Sequence, residues 1–561
     1  MMVFSNDAKV AEQQMHAVIF YLTTFGYIDG DFDLSEKAFI RDHIKRLVEV
    51  RVDGAKKGLD PKLRAEMVGK YSRHFNEVFD QIDHQVRELF TEAVSENENQ
   101  AAFVRAKLKL RCYEIFKGFN EDNQVNILAT VDEFIQADGR VHEAESLFRR
   151  ELGELLHTEV RVDDADDAGV SLVAIAEPAK LEPRLPNHPF FERFERHYSA
   201  DKEIIARQAA ADLDLINQHM AKLDEQRTAG IGRLLGKHAA ADFAPGTQLL
   251  DEHVYVINPK PGQRYELLVL GDLHGCYSCL KAALLQHDFF NKVQAFKKDP
   301  QSNPDVKVVL LGDYIDRGRF SYNGVLRTVM QLFVNVPEHV IALRGNHEYY
   351  LELNGRVYGG VRPAEAINTL VGYMPDEMFS NYMKLFDALP NMLIFDKTLF
   401  VHAGIPRDEL INTKLRDLAS LNDPEIRFQM LWSDPSEADL IPAELQAANA
   451  RFPFGRLQFK SFMSKIGCNL MLRGHEKIEE GFKTVYDDGH HVLLNLFSAG
   501  GKGNDDLPED SNYRSVRPMA AVLHHLDGET KVVPFEIDYA RYNDPDTNKF
   551  FASPAEIEHR G

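Results

Sequence analysis

The segment His339–Tyr350, HVIALRGNHEYY, decides how the second half of this chain folds. Its first half is apolar and β-prone, as a buried strand requires. It then breaks at a glycine followed by three polar side chains, Asn346, His347 and Glu348. A buried strand gains nothing from that ending, so these residues predict a site at the strand's carboxyl end.

The same ending recurs along the chain. YELLVLG runs into Asp272-Leu273-His274-Gly275, and VKVVLLG into Asp313-Tyr314-Ile315-Asp316-Arg317-Gly318. TLFV runs into His402-Ala403-Gly404, and LMLR into Gly474-His475-Glu476. The strands alternate with helical stretches, CLKAALLQHDFF and another around Val325–Phe333. That βαβαβ order predicts parallel strands covered by helices. MLIFDKTLFVHAGI and KTVYDDGHHVLLNLFSAG read as hairpins with Asp-Lys and Asp-Gly turns. Ligands of open α/β sheets sit beyond the carboxyl ends of the strands, so the five loops are predicted to meet on one rim of a mixed α/β sandwich.

The residue types define the chemistry expected there. Oxygen donors from Asp272, Asp313 and Asn346, mixed with the imidazoles of His274, His402 and His475, suit manganese, iron or zinc. The lack of thiolates argues against a structural zinc site. Six donors around one central aspartate suffice for two metals sharing a carboxylate. Two cations about 3.5–4 Å apart lower the pKa of a bridging water and clamp both oxygens of an in-line displacement. Phosphoryl chemistry also needs positive charge on the non-bridging oxygens, and Arg317 adjoins the motif to supply it.

The motifs GDLHG, GDYIDRG, GNHE, VHAG and RGHE, with LWSDP at 431–435 and LLNLFSAG at 493–500, resemble the phosphoprotein phosphatase (PPP) family of binuclear metallophosphoesterases. The resemblance runs over roughly 265–540 and implies a calcineurin-like β-sandwich flanked by helices. It implies a first metal on Asp272, His274 and Asp313, and a second on Asp313, Asn346, His402 and His475. His347 would protonate the leaving alkoxide, oriented by Asp316, and Arg317 would grip the phosphate. A second phosphate-binding arginine of the family precedes a Phe-Gly pair, which in RFPFG points to Arg451. The implied cofactors are two divalent ions, manganese before iron or zinc. The implied reaction is hydrolysis of phosphomonoesters on protein serine or threonine, with tyrosine in reach, by direct attack of a metal-bridging hydroxide.

Two departures qualify that expectation. Where eukaryotic members continue SAP-N-Y-C-G, this chain has Ser498-Ala-Gly-Gly-Lys-Gly-Asn504, so the aromatic that overhangs the family's active site is expected to be missing. VHAGIP and GDLHGC lean toward bacterial relatives, some of which prefer phosphotyrosine or cleave diadenosine polyphosphates. A diadenosine polyphosphate hydrolase is therefore the alternative enzyme. A non-catalytic, metal-sensing scaffold acting through the helical half is the alternative of another class. The stretch after Glu348, through RVYGGVRPAE, is expected to form a substrate-facing loop.

The 561 residues exceed one domain at roughly 150 residues each. Residues 1–160 carry long charged-apolar periodic runs such as VFDQIDHQVRELF and are predicted all-α. Within them FGYIDGDFDLSE and FIQADGRVHEAE repeat a pattern, with Asp29 and Glu36 matched by Asp138 and Glu145. Leu34 and Ile40 stand where an EF-hand needs Gly and Glu, which excludes that calcium loop. The repeated Asp-Gly turn resembles the TerB (tellurite-resistance) helical family, where such turns can hold a metal; otherwise Asp and Gly form the turn and each Glu supports the next helix N-terminus. Residues 161–248 are expected as linker and helical connector, 249–545 as the catalytic domain and 546–561 as a tail.

A net charge of −22 argues against a binder of nucleic acid or an anionic membrane, since both need clustered Lys and Arg. The expected partners are a phosphorylated protein substrate and a protein partner of the helical domain. No apolar run is long enough to span a bilayer, and MMVFSNDAKVAEQQ lacks signal-peptide character. With only Cys112, Cys276, Cys279 and Cys468, a reducing cytoplasm is expected. The Cys276-Tyr-Ser-Cys279 pair is expected as small core residues on the first turn of a helix.

Overall fold

The computed structural model describes residues 7–28, 32, 34–55, 60–89, 94–95, 100–135, 146–150, 173–197, 201–353, 356–359, 361–362, 376–448 and 451–552. Two compact units form: Met1–Asp163 with Ser436–Gly455, and Asp164–Pro435 with Arg456–Gly561.

The first unit is built on helices α1 (Ala8–Gly26), α2 (Leu34–Ala55), α3 (Pro61–Leu89), α4 (Gln100–Lys117) and α5 (Glu121–Phe134). Asp7 starts α1 by accepting from the Lys9 and Val10 N–H groups, and Asn120 caps α5 in the same way. Val18, Leu22 and Phe25 recur at helical spacing on α1 and bury against Ile44, Phe79, Phe116 and Phe134. Asp29, Gly30, Asp138, Gly139 and Glu145 lie outside the described residues, whereas Glu36 is buried in the first turn of α2. The segment 436–455 was expected within the catalytic domain. It belongs to this unit: Ile441 and Leu445 enter the helical core, and the Ser436 hydroxyl bonds Glu114.

The second unit contains strands β1 (Val173–Ile175), β2 (Gln248–Asp251), β3 (Val254–Ile257), β4 (Tyr265–Leu270), β5 (Asp305–Leu310), β6 (Val340–Ala342), β7 (Met392–Phe395), β8 (Thr398–Val401), β9 (Leu470–Arg473), β10 (Phe482–Asp487), β11 (Val492–Leu496), β12 (Met519–Leu526) and β13 (Glu529–Glu536). A six-stranded sheet runs β1-β13-β12-β4-β5-β6, and a seven-stranded sheet runs β10-β11-β9-β8-β7-β3-β2. β4, β5 and β6 are parallel, as are β8, β9 and β11. Both predicted hairpins form, β7–β8 around Asp396-Lys397 and β10–β11 around the Asp-Gly turn.

Alternation along the strands explains the layering. Leu393 and Phe395 of β7 and Leu470 and Leu472 of β9 join Leu268, Val308 and Leu523 of the facing sheet in one core. Helix α6 (Lys202–Gly230), started by Asp201, packs on α8 (Arg327–Asn335), where Asp212 holds Arg327 in a buried bidentate pair. The connector region is thus partly structural: its β1 pairs with β13. Cys276 and Cys279 are buried, unbridged, at the start of α7 (Tyr277–Gln286), as the small-core expectation requires.

Candidate active site

The parallel strands place their loops on a common rim. β4 delivers Asp272 and His274, β5 delivers Asp313, Asp316 and Arg317, and β6 delivers Asn346 and His347. The other sheet delivers His402 after β8 and His475 after β9. Contacts cross between the sheets: Asn346 Oδ1 lies 2.8 Å from His402 Nε2 and 3.1 Å from His475 Nδ1. The His475 N–H donates to Asp272 Oδ1 at 2.8 Å. All six expected metal donors therefore meet.

Backbone strain concentrates in these loops. His274, Asp313, Asp316, Arg317 and His475 all have positive φ, between 40° and 71°. Each non-glycine residue held there costs of order 1–3 kcal/mol and persists only where surrounding structure dictates it. Two glycines are fixed by close approach. A Cβ on Gly345 would overlap Asp313 Oδ1, and one on Gly474 would overlap Asp272 Oδ1.

The donors are preset for cations. His274 Nδ1 and His402 Nδ1 lie 3.0 Å from the Ile315 and Leu311 carbonyls, so each Nδ1–H is used and each Nε2 lone pair faces the cluster. Burial holds both imidazoles well below their usual pKa, hence neutral. His274 Nε2 lies 3.7 Å from Asp272 Oδ2 and 3.5 Å from Asp313 Oδ2, and His402 Nε2 lies 3.4 Å from Asp313 Oδ1. Asp313 thus stands between the two imidazoles, one oxygen toward each. Asp272 Oδ2 is buried with no hydrogen-bond partner, an orphan that a cation would satisfy. Burial, more than their mutual repulsion, pushes Asp272 up to about 7 and Asp313 well above its ordinary value. Buried carboxylates so disfavoured as anions lack positive charge, and this donor set fits divalent metal.

The remaining expected residues are placed as follows. His347 Nδ1 is 2.7 Å from Asp316 Oδ2, both buried, and its Nε2 lies 3.9 Å from Asp313 Oδ2. Arg317 is half-buried on the same loop. Arg451 belongs to the first unit, its guanidinium 5.2 Å above the Phe103 ring.

Sequence reasoning missed four contributors. The Glu348 carboxylate accepts from the Asp313, Tyr314 and Gly345 N–H groups at 2.8–2.9 Å and so locks the loops that carry Asp313 and Asn346 together. Asp434 of LWSDP accepts from Arg473 at 3.0 Å and lies 3.7 Å from His475 Nε2. The Ser498 hydroxyl accepts from Gly271 N–H and donates to the Met519 carbonyl, tying β11 to the facing sheet. The stretch 498–504 carries no aromatic, but Tyr513, from a later turn, reaches the site. Its ring lies 5.2 Å from that of His274, and its hydroxyl, held well above its usual pKa chiefly by burial, hydrogen-bonds Arg317. Glu348 and Asp434 sat in motifs already singled out, whereas nothing in the local sequence marked Tyr513.

A family model described as calcineurin-like phosphoesterase matches residues 265–478, which include all six donors. A probable serine/threonine-protein phosphatase of Encephalitozoon cuniculi is 29% identical over 248 residues, 42% of this chain and 48% of the relative. A serine/threonine-protein phosphatase 6 catalytic subunit of Caenorhabditis elegans is 29% identical over 270 residues, 47% of this chain and 70% of the relative. A solved serine/threonine phosphatase of Saccharomyces cerevisiae shares 18% identity over 58% of this chain and 90% of its own, with a TM-score of 0.36.

Proposed function

We propose that this chain, which carries a calcineurin-like phosphoesterase domain with serine/threonine-protein phosphatase homologues, is a metal-dependent phosphoprotein phosphatase. The observation that carries the proposal is the convergence of Asp272, His274, Asp313, Asn346, His402 and His475 around an unpartnered Asp272 Oδ2. Two divalent ions, manganese before iron or zinc, would supply activated water and neutralise phosphate charge there, with Asp272, His274 and Asp313 on one and Asp313, Asn346, His402 and His475 on the other.

The protein groups perform the rest. Asp316 stabilises the imidazolium of His347 through the 2.7 Å contact at Nδ1, leaving the Nε2 proton for the departing serine or threonine oxygen. Arg317 holds the non-bridging oxygens, and Tyr513 fixes its direction. Glu348 keeps Asp313 in place through backbone hydrogen bonds. By motif the second phosphate contact falls to Arg451, and its seat on Phe103 gives that assignment a direct check. If Arg451 holds phosphate, Arg451→Ala raises KM; if stacking is its whole role, only the melting temperature falls.

No helix among the described residues is long and apolar enough to cross a membrane. Four buried, unbridged cysteines support assignment to a reducing cytoplasm. The helical unit is assigned a recruiting role toward a protein partner, since all six metal donors and His347 lie in the other unit. The test is phosphate release from phosphoserine peptide, phosphotyrosine peptide and diadenosine tetraphosphate by metal-stripped protein with and without Mn²⁺. Mn-dependent release from phosphoserine peptide that is absent in Asp313→Asn is expected. Turnover of the dinucleotide alone would transfer the proposal to that hydrolase.

A further inference from the structure

A second group of ligating side chains lies in the helical unit. Glu12 and His16 stand four residues apart on one face of α1, and His74 faces them from α3. Their donor atoms all lie within 4.8 Å of one another. His74 Nε2 is 3.3 Å from Glu12 Oε1, and the two imidazole rings are 6.3 Å apart.

We propose that Glu12, His16 and His74 form a zinc site that staples α1 to α3. Two imidazoles and one carboxylate are a zinc donor set, and tetrahedral bonds of about 2.0–2.2 Å bring donors roughly 3.3 Å apart. The Glu12–His74 pair is already at that separation, 3.3 Å. His16, whose donor lies within 4.8 Å of the other two, must close by up to about 1.5 Å, which the exposed side chains of Glu12 and His74 can absorb, at 53% and 47% exposure. One aromatic orients both imidazoles: the buried Phe75 meets His16 edge-on at 5.9 Å and His74 at 5.0 Å.

A solvated ion pair explains less. An exposed Glu12–His74 contact contributes at most about 1 kcal/mol. It gives no reason for His16, whose ring is packed beside the same two groups. With three protein ligands, the fourth position of the metal opens to solvent and is available to water or to a donor from a bound partner.

The test is zinc counting on the full chain by equilibrium dialysis of stripped protein at micromolar free Zn²⁺. Wild type should take up one equivalent more than His16→Asn/His74→Asn, because the catalytic cluster loads equally in both. Phosphatase turnover with Mn²⁺ should be the same in the two proteins. Equal zinc counts would overturn the proposal. Should the double variant fail to show the wild-type melt in EDTA, Glu12→Gln takes its place, with an expected loss of at least about tenfold in affinity for the additional zinc, the scale of a perturbed metal shell. Unchanged affinity in Glu12→Gln would equally overturn it.

Discussion

Asp316→Asn tests the assignment of His347 as the proton donor. In the structure the Asp316 carboxylate lies 2.7 Å from His347 Nδ1, and both residues are buried. A hydrogen bond to a charged group contributes about 1.5–3 kcal/mol, and about 1.4 kcal/mol is tenfold in rate, so kcat on a phosphoserine peptide should fall roughly 10- to 150-fold. The asparagine oxygen can still accept from Nδ1–H, which favours the lower end. The loss must depend on the leaving group. A serine alkoxide needs the proton as the P–O bond breaks, whereas p-nitrophenolate departs without one, so p-nitrophenyl phosphate turnover should change only a few-fold. Metal content should be preserved, because Asp316 is among the charges raising Asp313 and Glu348, and removing it makes their carboxylates easier to ionise. The assay compares kcat on both substrates with bound metal measured on the same samples. Equal losses on both substrates, or loss of metal, would show that Asp316 shapes the metal cluster and would refute the proton-donor assignment.

Three other perturbations have defined outcomes. Tyr513→Phe keeps the ring against His274 but removes the hydroxyl from Arg317, so kcat/KM should fall about tenfold while the melting temperature holds, since a hydrogen bond to a charged group contributes about 1.5–3 kcal/mol. Unchanged kinetics would remove Tyr513 from the site. Gly474→Ala drives a methyl into Asp272 Oδ1 and should cost about 10² in kcat, the scale of a 1 Å misplacement, with a visible deficit in bound metal. Retained metal and activity would mean the loop yields where the close packing says it cannot. His219 is buried against Phe333 with neither ring nitrogen partnered, and burial lowers its pKa from 6.5 to about 3. The unfolded chain therefore takes up a proton below pH 6.5 that the folded chain refuses, and stability falls as pH drops, by about 2 kcal/mol between pH 6.5 and 5. His219→Leu should flatten that slope in chemical denaturation at the two pH values; an unchanged slope would show that the ring is solvated.

The strand-end motifs were legible because each is a local unit, an apolar strand stopped by glycine and polar donors. Parallel pairing then carries them to one rim, so Asn346 finds His402 and His475 finds Asp272 across the sandwich. Tyr513 was illegible for the opposite reason. It comes from a short 3-10 turn, Asn512–Ser515, and reaches His274 only through the fold. Segment 436–455 likewise carries no local sign that Ile441 and Leu445 bury in the helical core. Nor did the sequence mark the pairing of Glu12 and His16 with His74, 62 residues away from Glu12 on another helix. The Asp-Gly turns of the repeat drew attention in sequence, yet of that pattern Glu36 is the described carboxylate, buried in α2.

The central claim is that two metals on the six converged donors carry phosphate release. It is tested most directly by titrating stripped protein with Mn²⁺ and following phosphate release from a phosphoserine peptide. Activity should rise from background to a plateau at two equivalents and stay at background throughout for Asp313→Asn. Full activity without metal, or a titration that Asp313→Asn reproduces, would contradict the account.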